Sequence, residues 1–289
     1  MSTPISHLPE KLSPSQREAM IRLLGDDDPN VYRAIEQKLL SYGHEVKEWL
    51  KPHLLSDEVN LRQRARGIIQ SLEKKDADNE FLAYCLRHGE ALDLEDSIWL
   101  LAHTRYPDFN PEGYSAILDG YAGEIRERMD ANLGALGVLN VVTQYLFREV
   151  GFVGNEENYY DPDNSYLNRV IDRKTGNPIS LCAILILVAK RLNLPIQGVG
   201  LPGHFICRYH SPADDFYIDA FNHGRILRRS DCVKFLHHTN RAAHEEFLTS
   251  VSTRKMLVRM CGNLYQIYQQ TEQQENTIRF QQYLAALGR

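Results

Sequence analysis

Three side chains able to share one reaction follow each other along the chain: Cys182 in "GNPISLCAILILVAK", His204 in "HFICRYH" and Asp219 in "FYIDAF". A thiol, an imidazole and a carboxylate are the nucleophile, the base and the orienter of the base in thiol acyl transfer. The imidazole takes the thiol proton to form an ion pair, and the carboxylate fixes the imidazole tautomer. Asn177 or Ser180 can cap a helix start, and Pro178 suits an early helical position, where its missing N–H is no loss. Cys182 then falls within the first turn or just after it. There the unpaired N–H groups and the positive end of the helix dipole favour a thiolate and could hold an oxyanion. The run "AILILVAK" is apolar all round until Lys190, so the helix is a buried, rigid mount. A second reading of the same sulfur stands beside this one, because cysteine is also a small hydrophobe that fills buried helices.

The segments that must position His204 and Asp219 read as strands. "PIQGVGL", "GHFICRYH" and "DFYIDAF" are short aromatic or β-branched runs bounded by "LPG" and "SPAD". With "SPAD" as a hairpin loop, His210 faces Asp215 and His204 lies opposite Phe221. Asp219, two positions away, then shares a sheet face with His204. A slip of one residue would send the two side chains to opposite faces. A helix leading into antiparallel strands implies an α+β core.

Upstream, residues 15 to 125 read as helical nearly throughout, with apolar residues at three- and four-residue spacing in "SQREAMIRLLG", "NVYRAIEQKLLSYG" and "NLRQRARGIIQSLEKK". "DDDP" and "LSDEVN" open two segments about thirty residues apart, a weak hint of HEAT-like stacking beside the plainer expectation of an irregular bundle. Residues 154 to 177 are polar and turn-rich, a loop long enough to be functional. The tail, "STRKMLVRMCGNLYQIYQQTEQQENTIRFQQYLAALG", returns to helix. These changes of character divide the chain into a helical domain (1–128), an α+β core (129–235) and a helical C-terminal segment (236–289).

Composition bounds the rest. The 289 residues are 43% apolar and 25% charged, and 33 Lys and Arg stand against 38 Asp and Glu, a net charge of -5. No general positive field exists for nucleic acid, which is not expected as a partner. The start of the chain lacks a basic stretch followed by an apolar run, and the longest apolar stretch is too short for a membrane span, so a cytoplasmic protein with no membrane partner is expected. The five cysteines are widely spaced without a CxxC pair, which indicates neither a disulfide framework nor a zinc ribbon. Cys232, His237, His238 and His244 match no common zinc spacing, and no metal or other cofactor is expected.

"GNPISLCAILILVAKRLNLPIQGVGLPGHFICRY" followed by "FYIDAFNHGRIL" resembles the core of the transglutaminase-like superfamily, which is built on a papain-like fold. It is similar in particular to a bacterial SirB-type branch that carries helical or tetratricopeptide-like segments. The likeness extends through "YLFREVGFVGNEENYYDPDNSYLNRVIDRKTGNPISL" and over roughly residues 25 to 270. It implies that Cys182, His204 and Asp219 occupy the superfamily's catalytic positions, and that an amide is cleaved or transferred through a thioester. Phe205 stands where crosslinking members commonly carry Trp, which weighs against protein crosslinking and leaves simple thiol chemistry open. No DxDxDG calcium loop is present. Asn164, Asn177, Phe205, Asn222 and Tyr160 are the expected substrate-binding residues, although the asparagines also suit turns and caps. The expected substrate or partner is a peptide or protein, and a non-catalytic module using the same cleft is the alternative.

Overall fold

The computed structural model describes residues 12–130, 132–238 and 245–288. His244 lies outside them. The chain divides into two compact units, residues 12–79 with 104–107, and residues 80–103 with 108–288.

In the first unit, α1 (Pro14–Leu24), α2 (Pro29–Leu40), α3 (Glu45–Leu50) and the start of α4 (Val59–His88) surround one core. Each early helix begins where the sequence supplies a cap. Ser13 and Gln16 form a reciprocal capping box, Asp28 caps α2, and a proline follows each cap. Leu24, Leu39, Val46, Leu50, Ala65 and Ile68 are fully buried there. Helix α4 runs well past the expected end at Lys75. The charged stretch "EKKDADNE" consists mostly of residues that helices tolerate, and the helix continues until Gly89, at φ +55.

In the second unit, α5 (Leu94–His103), α6 (Pro111–Arg128) and α8 (Leu167–Arg173) pack on α9 (Pro178–Arg191) while α7 (Ala135–Gln144) packs on α6, and the all-apolar sequence of α9 is buried from Pro178 to Leu185 and again from Leu187 to Ala189. The residues expected to end a helical domain at 128 pack with the core instead. Their buried apolar residues face this core, and Arg191 at the end of α9 adds ion pairs to Glu95 of α5 at 2.7 Å and Asp119 of α6 at 2.5 Å. Arg126 also donates to the Arg191 carbonyl at 2.9 Å. The C-terminal helices α11 (Thr253–Gln270) and α12 (Gln274–Leu287) belong to the same unit and form a pair about the tilted and edge-to-face ring contacts of Tyr268, Phe280 and Tyr283.

Four antiparallel strands, β3 (Ile196–Leu201), β4 (His204–His210), β5 (Asp215–Asp219) and β6 (Arg225–Leu227), lie in sequence order. A two-residue parallel pair, β1 (Val153–Gly154) with β2 (Thr175–Gly176), pins the polar loop. His210 pairs with Asp215 and Cys207 with Ile218, which is the register anticipated from "SPAD". Alternation then sorts the side chains. Val199, Leu201, Ile206 and Tyr217 pack with Cys232 and Leu236 of α10 (Arg229–His238) on one face. Phe205 and Cys207 occupy the other face, and Cys207 Sγ reaches the Cys182 carbonyl of α9 at 3.6 Å.

Two turns beside the sheet need left-handed backbone. Gly203 (φ +72) closes the β3–β4 hairpin with open space where a Cβ would stand, and Gly224 (φ +68) would place a Cβ 2.2 Å from the Phe147 ring. Gly203→Ala should therefore cost only backbone strain, about 1–2 kcal/mol. Gly224→Ala adds overpacking on the order of 1–3 kcal/mol more. Urea unfolding of both variants tests this, and equal losses would remove Phe147 as the reason for the second glycine.

Candidate functional site

The site is built where α9 begins. Asn177 caps the helix by accepting from the Ser180 N–H at 3.0 Å, and its amide donates to Ser165 Oγ at 2.9 Å. Asn164 donates to the carbonyls of Asn158 and Tyr159 at 2.8 and 3.1 Å, while its own carbonyl accepts from Ser180 Oγ at 2.7 Å. Arg173 pairs with Asp161 at 2.8 Å. These bonds staple the polar loop to the helix start and hold Tyr159 and Tyr160 above it, 40% and 65% exposed.

His204 Nε2 lies 3.0 Å from Asp219 Oδ2, on the face of the sheet they share. Asn222 completes the carboxylate's shell, donating from its side chain at 2.8 Å and from its backbone at 3.2 Å. Burial alone would raise the Asp219 pKa. The His204 hydrogen bond and charge, with the two Asn222 donors, outweigh it and hold the carboxyl below its ordinary value. The His204 ring sits between Phe221 and Phe235, with centroids at 6.2 and 6.0 Å.

Cys182 does not join this pair. Its sulfur is fully buried and donates to the Phe205 carbonyl at 3.6 Å. Burial first, then the neighbouring Cys207 thiol and the Asp219 charge, push its pKa well up, the reverse of the stabilised thiolate expected at a helix start. Two features of the backbone account for this. Cys182 lies four residues into α9, about 6 Å along the axis from Pro178 and on the same helical stripe. It also lies beneath the Phe205 and Cys207 face, whereas His204 and Asp219 project from the opposite one. Its sequence position counted it within the first turn, but the turn presented to His204 is that of Pro178.

Two adjoining cavities open at this helix start, of about 510 and 700 Å³, and His204, Pro178, Tyr159 and Gly203 line both. Cys182 lines neither. Of the residues expected to bind substrate, Tyr160, Asn177 and Phe205 line the first cavity and Asn222 the second. Asn164 is buried in its loop and lines neither. Pro178, Phe221, Phe235 and Arg259 line the cavities without having been singled out as ligand-binding from the sequence. A proline at the first helical position read only as a helix signal, and Arg259 sits in a tail where nothing distinguished it from other helix-surface cations. Among the described residues no three His, Cys, Asp or Glu side chains cluster as a metal site, and Cys232 is buried between α10 and the sheet. No helix among them is long and apolar enough to cross a membrane.

Residues 112–262 match the model of the transglutaminase-like superfamily. A UPF0162 protein of Xylella fastidiosa (strain Temecula1) is 36% identical over 199 residues, 66% of this chain and 70% of that one. A UPF0162 protein of Pseudomonas aeruginosa is 28% identical over 191 residues, covering 64% of this chain and 67% of the relative. F-box only protein 21 of Mus musculus is 34% identical over 152 residues, half of this chain but 23% of that protein. No solved structure matches. The matched segment spans the α9 helix, the four-stranded sheet and both residues of the His204–Asp219 pair, and on that match the chain belongs to the transglutaminase-like superfamily.

Proposed function

We propose that the chain is a non-catalytic binding module whose cleft at the start of α9 receives a peptide or protein segment, with the His204–Asp219 pair as a fixed polar anchor. The observation that carries this reading is the seal on Cys182. Burial beneath the sheet disfavours ionisation of this thiol, and its bond to a backbone carbonyl holds it away from the cleft where an acyl group would enter. What the cleft does offer suits recognition: exposed Tyr160, half-exposed Tyr159 and Phe235, and a histidine whose Nδ1 has no protein hydrogen-bond partner among the described residues. The match to a small part of F-box only protein 21 supports the same view, since the segment there is a module of a longer chain.

Thiol acyl transfer, as hydrolase or acyltransferase, is the second reading, favoured by the His204–Asp219 hydrogen bond itself. It requires Cys182 to leave the core for the cleft. Alkylation separates the two. Burial raises Cys85 to about 11 and Cys232 to about 12, and pushes Cys182 and Cys261 up as well, so iodoacetamide should label these four slowly in the native protein and fast only in denaturant. His204→Ala should leave the Cys182 rate unchanged. Preferential labelling of Cys182 that slows in His204→Ala would restore the nucleophile.

The anchor also has a pH signature. Because the folded Asp219 pKa is depressed below 3.8, its stabilisation is present above that value and is lost as pH falls through the folded one. Asp219→Asn should unfold at lower urea concentration than the parent at neutral pH, with the gap closing in acid below 3.8. A gap constant over that range would mean that the charge contributes nothing.

A further inference from the structure

The two cavities differ in charge. The larger one balances Arg225 and Lys234 against Asp219 and Asp231, whereas the lining of the smaller contains a guanidinium, Arg259, and no carboxylate. Arg259 is half-buried and forms no ion pair among the described residues; half-buried Arg62 and Arg64 also bond only to backbone carbonyls, but Arg259 differs in lining a cavity. It is nevertheless fixed in place. One Nη2 hydrogen donates to the His204 carbonyl at 2.9 Å, and the guanidinium carbon stands 5.7 Å from the centroid of the Phe205 ring. Burial depresses its pKa, the cost of holding a cation partly out of water without a counter-charge. A fixed cation of this kind, in a cavity of ligand size, is incomplete until an anion enters.

Resting on the binding-module reading, we propose that the cavity beside the α9 start binds a carboxylate of the incoming peptide, with Arg259 as its charge partner and Asn263 and Gln266 as flanking amide donors. The remaining guanidinium N–H groups suit the two oxygens of one carboxylate. One guanidinium among amides and tyrosines, with the His204 ring already bonded to Asp219, fits a monoanion better than a phosphate, whose greater charge calls for several cations. Both a peptide C-terminus and a Glu or Asp side chain carry this group. Asn263 lies one helical turn beyond Arg259 on α11, so the two face the same way.

The test is NMR titration of the isotope-labelled full chain with acetylated Ala-Xaa-Tyr-Ala tetrapeptides. Three are compared: Xaa as Gln with an amidated end, Xaa as Glu with an amidated end, and Xaa as Gln with a free acid end. The Arg259 Nε–H and the Asn263 and Gln266 side-chain amides report. The acidic peptides should bind about tenfold or more tightly than the neutral one, and which of them does so identifies the source of the carboxylate. Arg259→Gln should abolish the preference and Arg259→Lys retain part of it. Should Arg259→Gln unfold, Asn263→Asp supplies an internal carboxylate one turn away and should weaken acidic peptides while leaving the guanidinium in place. Equal binding of acidic and neutral peptides overturns the carboxylate site but leaves the binding module standing. So does a stronger response to inorganic phosphate than to either acid. Fast Cys182 alkylation would overturn the non-catalytic reading and leave the charge preference intact.

Discussion

The constraint on which the site depends is the pleat of β4 against a helix buried on all sides. Cys207 points down onto α9, the Phe205 ring lies on that same sheet face against Arg259 of α11, and Ile206 points up toward α10, so alternate residues of one strand serve separate cores. His204, at the strand's first position, shares the upper face and projects beyond the end of α9. Only the first turn of the helix lies within its reach. Any residue a turn deeper is covered by the strand itself, whatever its chemistry.

This explains why part of the site could be read from sequence and part could not. The His204–Asp219 pair needed only a hairpin loop length and the two-residue period, both of which "SPAD" and the flanking strands specify. Cys182 needed a depth along the helix and a face of the sheet. Neither was legible, because Phe205, Ile206 and Cys207 are all apolar and leave no alternation to show which of them faces α9. A strand buried on both sides loses the pattern that makes its faces visible. The fold class suffered no such ambiguity. Helical caps at Ser13, Asp28 and Asn177, the all-apolar run of α9 and the turn signals between strands each stand in the local sequence.

The limits of the compact unit were less legible. Composition changes near residue 129, and a boundary there follows from local character alone. The packing instead includes contacts distant in sequence, among them Arg191, which ties the end of α9 to Glu95 and Asp119, both more than 70 positions earlier. Long-range ion pairs leave no mark on periodicity. The same is true of Tyr166 and Tyr268, whose hydroxyls meet at 3.2 Å between the loop helix and the C-terminal tail.

That tail has a consequence for the cleft. Helix α11 delivers Arg259 and Asn263 to a cavity whose other wall is the start of α9, so that cavity's guanidinium comes from a different element than the histidine and carboxylate beside it. The Arg259 bond to the His204 carbonyl joins the two, because it fixes the strand residue whose side chain divides the cavities. A cleft assembled in this way can vary its ligand through Asn263 and Gln266 of α11, whereas a change at Arg259 also releases the strand residue that holds Asp219. The buried core under β4 admits no comparable freedom, since a change at Phe205 or Cys182 alters the packing that holds both walls.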